Sequence, residues 1–174
     1  MDQQIEQVVG IARTAGEAIL KVYHQDFAVQ EKGDQSPLTA ADLASHTVIT
    51  DELGKLEPAL PVLSEEGADI PFSTRQTWTK YWLIDPLDGT REFVKRNGEF
   101  TVNIALIDNG QAVLGVVHVP VTGVTYAGRV GEGAWKIEGE STTPIKVTEK
   151  RHARARVAGS RSHAGDSLLQ FLER

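Results

Sequence analysis

The sequence predicts an α/β (α+β) layered sandwich in which long N-terminal helices pack on a mainly antiparallel sheet. Three observations support this fold class. Apolar residues recur at helical spacing over roughly the first two dozen residues. An apolar segment that begins near residue 101 is interrupted by Asn109-Gly110, the strongest short signal for a β-hairpin. The helices precede the strands instead of alternating with them, which argues against a repeating βαβ doubly wound fold.

The helical part of the chain is expected to hold two long helices. The first covers roughly the first two dozen residues and is followed by a short strand over residues 27–32, which "GDQSP" ends. The second helix begins at a capping box, Thr39-Ala-Ala-Asp42, and ends before Pro58 and Pro61. Its expected inner face is formed by Ala41, Ala44, Val48, Leu53 and Leu56.

The rest of the chain is expected to consist mostly of strands joined by tight turns. Short strands are predicted in "PVLSEE" and "YWLIDP", and a hairpin in "TVNIALID-NG-QAVLGVVHVP". Three more strands are expected in "VTYAGR", "GEGAWKI" and "ARVAGS", and "SHAGDSLLQFLER" begins a helix.

Composition excludes several function classes. The chain has 174 residues and a net charge of −6, which argues against a nucleic-acid groove as its main function. It has no cysteine, so disulfides, thiolate metal sites and thiol catalysis are excluded, and a cytoplasmic location is compatible. No apolar run is long enough to span a bilayer, and "MDQQIEQVV" lacks the features of a secretory signal.

Acidic residues follow the apolar strands. Glu65 follows "PVLS", whereas Asp85 and Asp88 follow "YWLI". If these two strands lie side by side, the three acids converge at one sheet edge, where a hard divalent cation such as Mg²⁺ would relieve their repulsion. Each acid alone also has a simpler explanation, because Asp-Pro and Asp-Gly are turn dipeptides and Asp42 fits a helix cap.

Two related motifs do not fit the segment "DPLDGT". An EF-hand loop that began at Asp85 would place Leu87 and Gly89 where it needs acidic or amide ligands. A haloacid-dehalogenase phosphatase would need an aspartate two residues before Asp88, but that residue is Pro86. A phosphate site still fits, since Gly89 allows close approach of the backbone and a helix that starts there would direct free N–H groups at an anion.

The segments "SPLTAAD", "PVLSEE", "YWLIDPLDGTREF" and "GVVHVPVTGVTYAG" resemble, in this order, the inositol monophosphatase superfamily of lithium-sensitive, Mg²⁺-dependent phosphatases. Within it, "VKRNGEFTVNIALI" and "SRSH" resemble the bacterial 3'(2'),5'-bisphosphate nucleotidases. The resemblance implies removal of the 3'-phosphate of 3'-phosphoadenosine 5'-phosphate in sulfur metabolism, with two or three Mg²⁺ ions. It also implies a cytoplasmic enzyme and allows peripheral association with the inner membrane.

The resemblance implies a role for each residue of the site. The metal ligands would be Glu65, Asp85, the carbonyl of Leu87 and, for a second ion, Asp88. Thr90 paired with Asp42 would activate the attacking water. The substrate would contact Glu65, Leu87, Asp88, Gly89, Thr90 and His163.

The family also carries a later Trp-Asp motif, and the chain reaches Arg174 without one. We therefore expect residues 1–174 to form a phosphatase domain without its C-terminal subdomain and to have little activity alone. An inositol monophosphatase and a non-catalytic module that binds Mg²⁺ or nucleotide remain alternatives.

Overall fold

The computed structural model describes residues 1–25, 37–148, 157–159 and 166–172. Two long helices, α1 (Gln3–Tyr23) and α2 (Pro37–Leu53), precede the sheet, and α5 (Asp166–Leu172) follows it. Two short helices, α3 (Phe72–Arg75) and α4 (Thr90–Val94), flank the second strand. None of the helices among the described residues is both long and apolar enough to cross a bilayer.

The sheet has seven strands in sequence order. They are β1 (Val62–Ser64), β2 (Lys80–Asp88), β3 (Thr101–Asp108), β4 (Gln111–Val119), β5 (Val124–Arg129), β6 (Gly133–Glu138) and β7 (Ser141–Ile145). β1 pairs parallel to β2, and every later neighbour pairs antiparallel. The predicted class, helices layered on a mainly antiparallel sheet, is confirmed.

Helix α1 forms because its sequence provides both a cap and an apolar stripe. The Asp2 carboxylate accepts a hydrogen bond of 2.9 Å from the backbone N–H of Ile5, which satisfies a donor that the first helical turn leaves free. The stripe packs on β3, β4 and β5, and α2 packs on α1 and β2. Residues from both helices and from one sheet face therefore build a single apolar core, in which Trp82 is 1% exposed.

The opposite face of the sheet carries exposed apolar side chains. Leu83 on β2 is 42% exposed, and Val117 and Tyr126 are each 40% exposed. An open groove of about 470 Å³ on this face is bordered at one end by Glu65, Asp85 and Asn103.

Several predictions about individual elements need correction. Helix α2 begins at Pro37, so Thr39 lies inside its first turn and the capping box that was expected to start there is wrong. Proline is favoured in the first helical turn, where its missing N–H costs nothing. Helix α3 and strand β7 were not predicted. β7 contains Pro144, which only an edge strand tolerates.

Two expected strands are not part of the described sheet. The predicted strand over residues 27–32 lies outside the described residues. In "ARVAGS", only residues 157–159 are described, and they adopt no regular secondary structure. The predicted C-terminal helix is present as α5.

Candidate active site at the ends of two parallel strands

The acids of β1 and β2 meet because these two strands run in the same direction. Ser64 lies opposite Ile84, and the N–H of Glu65 donates a hydrogen bond of 3.2 Å to the Ile84 carbonyl. The carboxyl ends of parallel neighbours lie at one edge of a sheet. Glu65 and Asp85 are therefore close together, as the sequence predicted for adjacent strands.

A β-bulge brings the second acid of β2 to the same side as the first. Asp85 lies opposite Asn103 and Asp88 lies opposite Thr101, so three steps along β2 match two steps along β3. Side chains in a regular strand alternate between faces, and acids three residues apart would point in opposite directions. The extra residue of the bulge removes this mismatch. The strand thus continues through Pro86, which was expected to form a turn.

Helix α2 contributes the fourth acid of the site. Asp42 is 5% exposed and lies on the buried face of the helix. Burial, and then the negative charges of Glu66, Asp85 and Glu65, raise the pKa of Asp42 from 3.8 to about 7. Its inward position and its acidic neighbours do not fit the simple capping role that the sequence also allowed.

Asp85 lies near the acids of both strands, Glu65 after β1 and Asp88 at the end of β2. Burial, and then the charges of Glu65 and Asp88, raise the pKa of Asp85 to about 6. The Asp85 carboxyl therefore lies close to that of Glu65, and the backbone N–H of Leu87 partly offsets this rise in pKa. Carboxylates gathered at one partly buried site repel one another, so the metal-free site needs a compensating positive charge.

The described residues do not supply that charge themselves. Within the described ranges, no lysine or arginine forms an ion pair with Asp42, Glu65, Asp85 or Asp88. A divalent cation with oxygen ligands fits such a site. In the same ranges, no group of three or more His, Asp or Glu side chains is arranged to hold one ion. A site made of two carboxylates and the Leu87 carbonyl contains only two such side chains, so it is compatible with this finding.

Helix α4 begins directly after the second acid. Gly89 precedes it with φ of 97°, in the left-handed region, and a Cβ at this position would lie 2.9 Å from the carbonyl oxygen of Glu99. Only glycine fits this close approach without strain. Thr90 is the first residue of the helix and is exposed, so its hydroxyl is accessible at the same edge as Asp88.

Leu87 provides the link between the site and the core. Its side chain is 2% exposed and belongs to the apolar cluster, so the backbone between the two aspartates is anchored. The last predicted substrate residue, His163, lies outside the described residues. The structure thus places the carboxyls of Asp42, Glu65, Asp85 and Asp88 near one another, and Leu87, Gly89 and Thr90 adjoin Asp88 in the chain.

Sequence reasoning missed three polar residues that contact this site. The Asn103 amide donates to Asp88 Oδ2 at 3.3 Å, and the Thr101 hydroxyl donates to Asn103 Oδ1 at 3.1 Å. Ser45, which is 0% exposed, donates to the Pro86 carbonyl at 2.8 Å. A signal was available for Ser45, because it lies three residues after Asp42 on the same helix face.

Comparison with known proteins agrees with this architecture. The model of the inositol monophosphatase family matches residues 1–173. The chain therefore belongs to the inositol monophosphatase family.

Within the family, the chain is similar to proteins named 3'(2'),5'-bisphosphate nucleotidase CysQ. It is 52% identical over 172 residues to the CysQ of Escherichia coli K12, covering 97% of this chain and 68% of the relative. The crystal structure of CysQ from Bacteroides thetaiotaomicron superposes with a TM-score of 0.85 at 37% identity, over 98% of this chain and 67% of that one. The inositol monophosphatase of Anabaena is more distant, with a TM-score of 0.66 and 27% identity over 84% of this chain and 50% of that one.

Proposed function

We propose that this protein is a Mg²⁺-dependent 3'(2'),5'-bisphosphate nucleotidase, an enzyme that hydrolyses the 3'-phosphate of 3'-phosphoadenosine 5'-phosphate to give AMP and phosphate. The observation that carries the proposal is the meeting of Asp42, Glu65, Asp85 and Asp88 at the ends of β1 and β2. The substrate class comes from the relatives named as 3'(2'),5'-bisphosphate nucleotidases, which are 52% identical to this chain over 97% of its length.

Glu65, Asp85 and the Leu87 carbonyl would hold one Mg²⁺, and Asp88 would help to hold a second. The closeness of the Asp85 and Glu65 carboxyls supports this assignment, because a bound cation would relieve their mutual repulsion. Mg²⁺ bound there would neutralise the acids and the incoming phosphate and would make a bound water more acidic. We place the number of ions at two or three.

The chain itself supplies a base, a hydroxyl and backbone donors. The carboxylate of Asp42, which lies close to Glu65 and Asp85, would accept a proton from the attacking water. Thr90 lies at the start of α4, which contacts α2, and its hydroxyl would orient that water towards the phosphorus. The N–H groups of Gly89 and Thr90 would bind the phosphate oxygens. Water attacks directly, and the enzyme forms no covalent intermediate.

An inositol monophosphatase would use the same acids, so substrate choice has to come from elsewhere. The higher identity to nucleotidases than to the Anabaena inositol monophosphatase favours the nucleotide. We place His163 among the nucleotide contacts. We also propose a cytoplasmic location, with peripheral association at the inner membrane.

The test combines metal binding with turnover on the 174-residue chain. Binding of Mn²⁺, measured by electron paramagnetic resonance, should be lost or weakened at least about tenfold in Asp85→Asn. It should be unchanged in Asp51→Asn, a matched control on the exposed side of α2. Release of phosphate by this chain alone should be slow, but faster from 3'-phosphoadenosine 5'-phosphate than from inositol 1-phosphate.

The possible outcomes separate the alternatives. Mn²⁺ binding without release of phosphate from either substrate supports a binding module. Faster turnover of inositol phosphate supports an inositol monophosphatase. A wild-type chain that binds no Mn²⁺ overturns the metal assignment.

A further inference from the structure

Two consecutive residues of α2 are hydrogen-bonded to the two strand ends that carry the acids. Ser45 donates to a carbonyl of β2, and His46 is bonded to a side chain of β1. Asp42 lies one turn earlier on the same helix. One rigid element thus contacts both parallel strands next to their acidic residues and also carries the third component of the site.

The Ser45 hydrogen bond holds the bulge of β2. Its acceptor is the carbonyl of Pro86, which lies between Asp85 and Asp88 in the irregular part of the strand. A bulge interrupts the regular ladder, so its backbone groups need partners from elsewhere. Ser45 is fully buried and supplies that partner at 2.8 Å. Without the hydroxyl, the carbonyl would lose this donor and the bulge would be free to relax.

The His46 hydrogen bond holds the end of β1. Its Nδ1 lies 2.8 Å from the hydroxyl oxygen of Ser64, the last residue of the strand. Glu65 comes next in the chain and lies beyond the last strand residue. The His46–Ser64 bond therefore fixes the point from which Glu65 extends towards Asp85.

We infer that Ser45 and His46 are positioning residues that hold the ends of β1 and β2 at the separation that the proposed ligands need, with Glu65 and Asp85 for one ion and Asp88 for a second. The inference rests on the proposed function, because it assigns a purpose to the spacing of the proposed metal ligands. Groups one step removed from a metal ligand commonly change metal affinity by about 10- to 100-fold. Neither residue needs to touch the ion or the substrate.

The experiment measures Mn²⁺ affinity by electron paramagnetic resonance at a temperature where circular dichroism shows every variant to be folded. Ser45→Ala and His46→Leu should each weaken binding about tenfold. His46→Asn keeps a hydrogen-bonding atom near the position of Nδ1 and should restore most of the affinity. The matched control is Thr47→Val, which removes an exposed hydroxyl that bonds only to Leu43 within the same helix.

A second measurement tests the His46–Ser64 bond without relying on one variant. Ser64→Ala removes the same bond from the strand side, with a smaller change in volume. If both changes act through this bond, the double variant His46→Leu/Ser64→Ala should bind Mn²⁺ no more weakly than either single variant. Additive losses would contradict this assignment.

The outcomes distinguish this inference from the proposed function. If the wild type binds Mn²⁺ and the Ser45 and His46 variants bind it equally well, the positioning roles are wrong and the metal site stands. If Thr47→Val loses as much affinity as they do, the effect belongs to the helix as a whole and the inference is also wrong. If the wild type itself binds no Mn²⁺, the proposed function fails first.

Discussion

The close approach at Gly89 can be tested by adding a single methyl group. Gly89 has φ of 97°, and a Cβ there would lie 2.9 Å from the Glu99 carbonyl oxygen and 3.1 Å from the Cα of Phe100. Both neighbours are backbone atoms, so they cannot move aside as a flexible side chain would. Gly89→Ala must therefore strain its own backbone and also displace either the segment that leads into β3 or the start of α4.

The chain offers a matched control in Gly110, at the tip of the β3–β4 hairpin. Gly110 also has a positive φ, 76°, but a Cβ there would meet nothing within 4 Å. Gly110→Ala should therefore cost only the left-handed backbone term, about 1 kcal/mol. Gly89→Ala adds an overpacking term of about 1–3 kcal/mol, for a total of about 3 kcal/mol. The difference between the two variants measures the close approach alone.

The assay is urea unfolding followed by circular dichroism, with the free energy of unfolding obtained by linear extrapolation. Mn²⁺ binding gives the functional readout, since Gly89 joins Asp88 to Thr90. Gly89→Ala should weaken binding, and Gly110→Ala should leave it at the wild-type value. Equal losses of stability in the two variants, with metal binding intact in both, would refute the argument that β3 and α4 need glycine at this position.

Three further predictions concern single side chains. Asp88→Asn should lower the number of Mn²⁺ ions bound in a titration, and an unchanged number would contradict its assignment to the second ion. Thr90→Ala should reduce kcat more than it raises KM for 3'-phosphoadenosine 5'-phosphate, because its hydroxyl is proposed to act on the attacking water. Burial, with Arg13 nearby, lowers the pKa of His118 from 6.5 to about 4. As the pH falls, His118 is therefore protonated in the unfolded chain before it is protonated in the folded chain. The stability that the neutral imidazole contributes is complete above pH 6.5 and is lost as the pH falls to about 4. The loss is at most about 3 kcal/mol. Urea unfolding at several pH values should show a flatter profile for His118→Gln, and parallel profiles would contradict the buried neutral imidazole.

The elements that the sequence predicted well are those that local physics determines. The β3–β4 hairpin follows from Asn109 and Gly110, which adopt φ of 49° and 76° as a tight hairpin turn requires. Helix α1 follows from its apolar periodicity. Both signals lie within a few residues of the structure that they specify, so no knowledge of distant contacts was needed.

The features that the sequence did not reveal depend on contacts between distant segments. The start of α2 at Pro37 could not be separated from a capping box at Thr39, because both patterns are present in the same few letters. The spacing places Ser45 on the helix face of Asp42, but its hydrogen bond becomes visible only when its partner 41 residues away is known. Asn103 is similar, because its link to Asp88 depends on the register between β2 and β3.

The spacing of the two aspartates shows how local pattern and long-range register combine. On a regular strand, Asp85 and Asp88 would face opposite sides of the sheet, and only one of them could join Glu65. The bulge changes this, and Pro86 is well suited to it because it has no N–H to leave unpaired in an interrupted ladder. Since Ser45 holds the Pro86 carbonyl, the helix that carries Asp42 also fixes the irregularity that turns both aspartates the same way. The motif and the second helix therefore form one structural unit, and removal of the Ser45 hydroxyl from α2 should alter metal binding even though the proposed ligands lie on the strands and immediately after them.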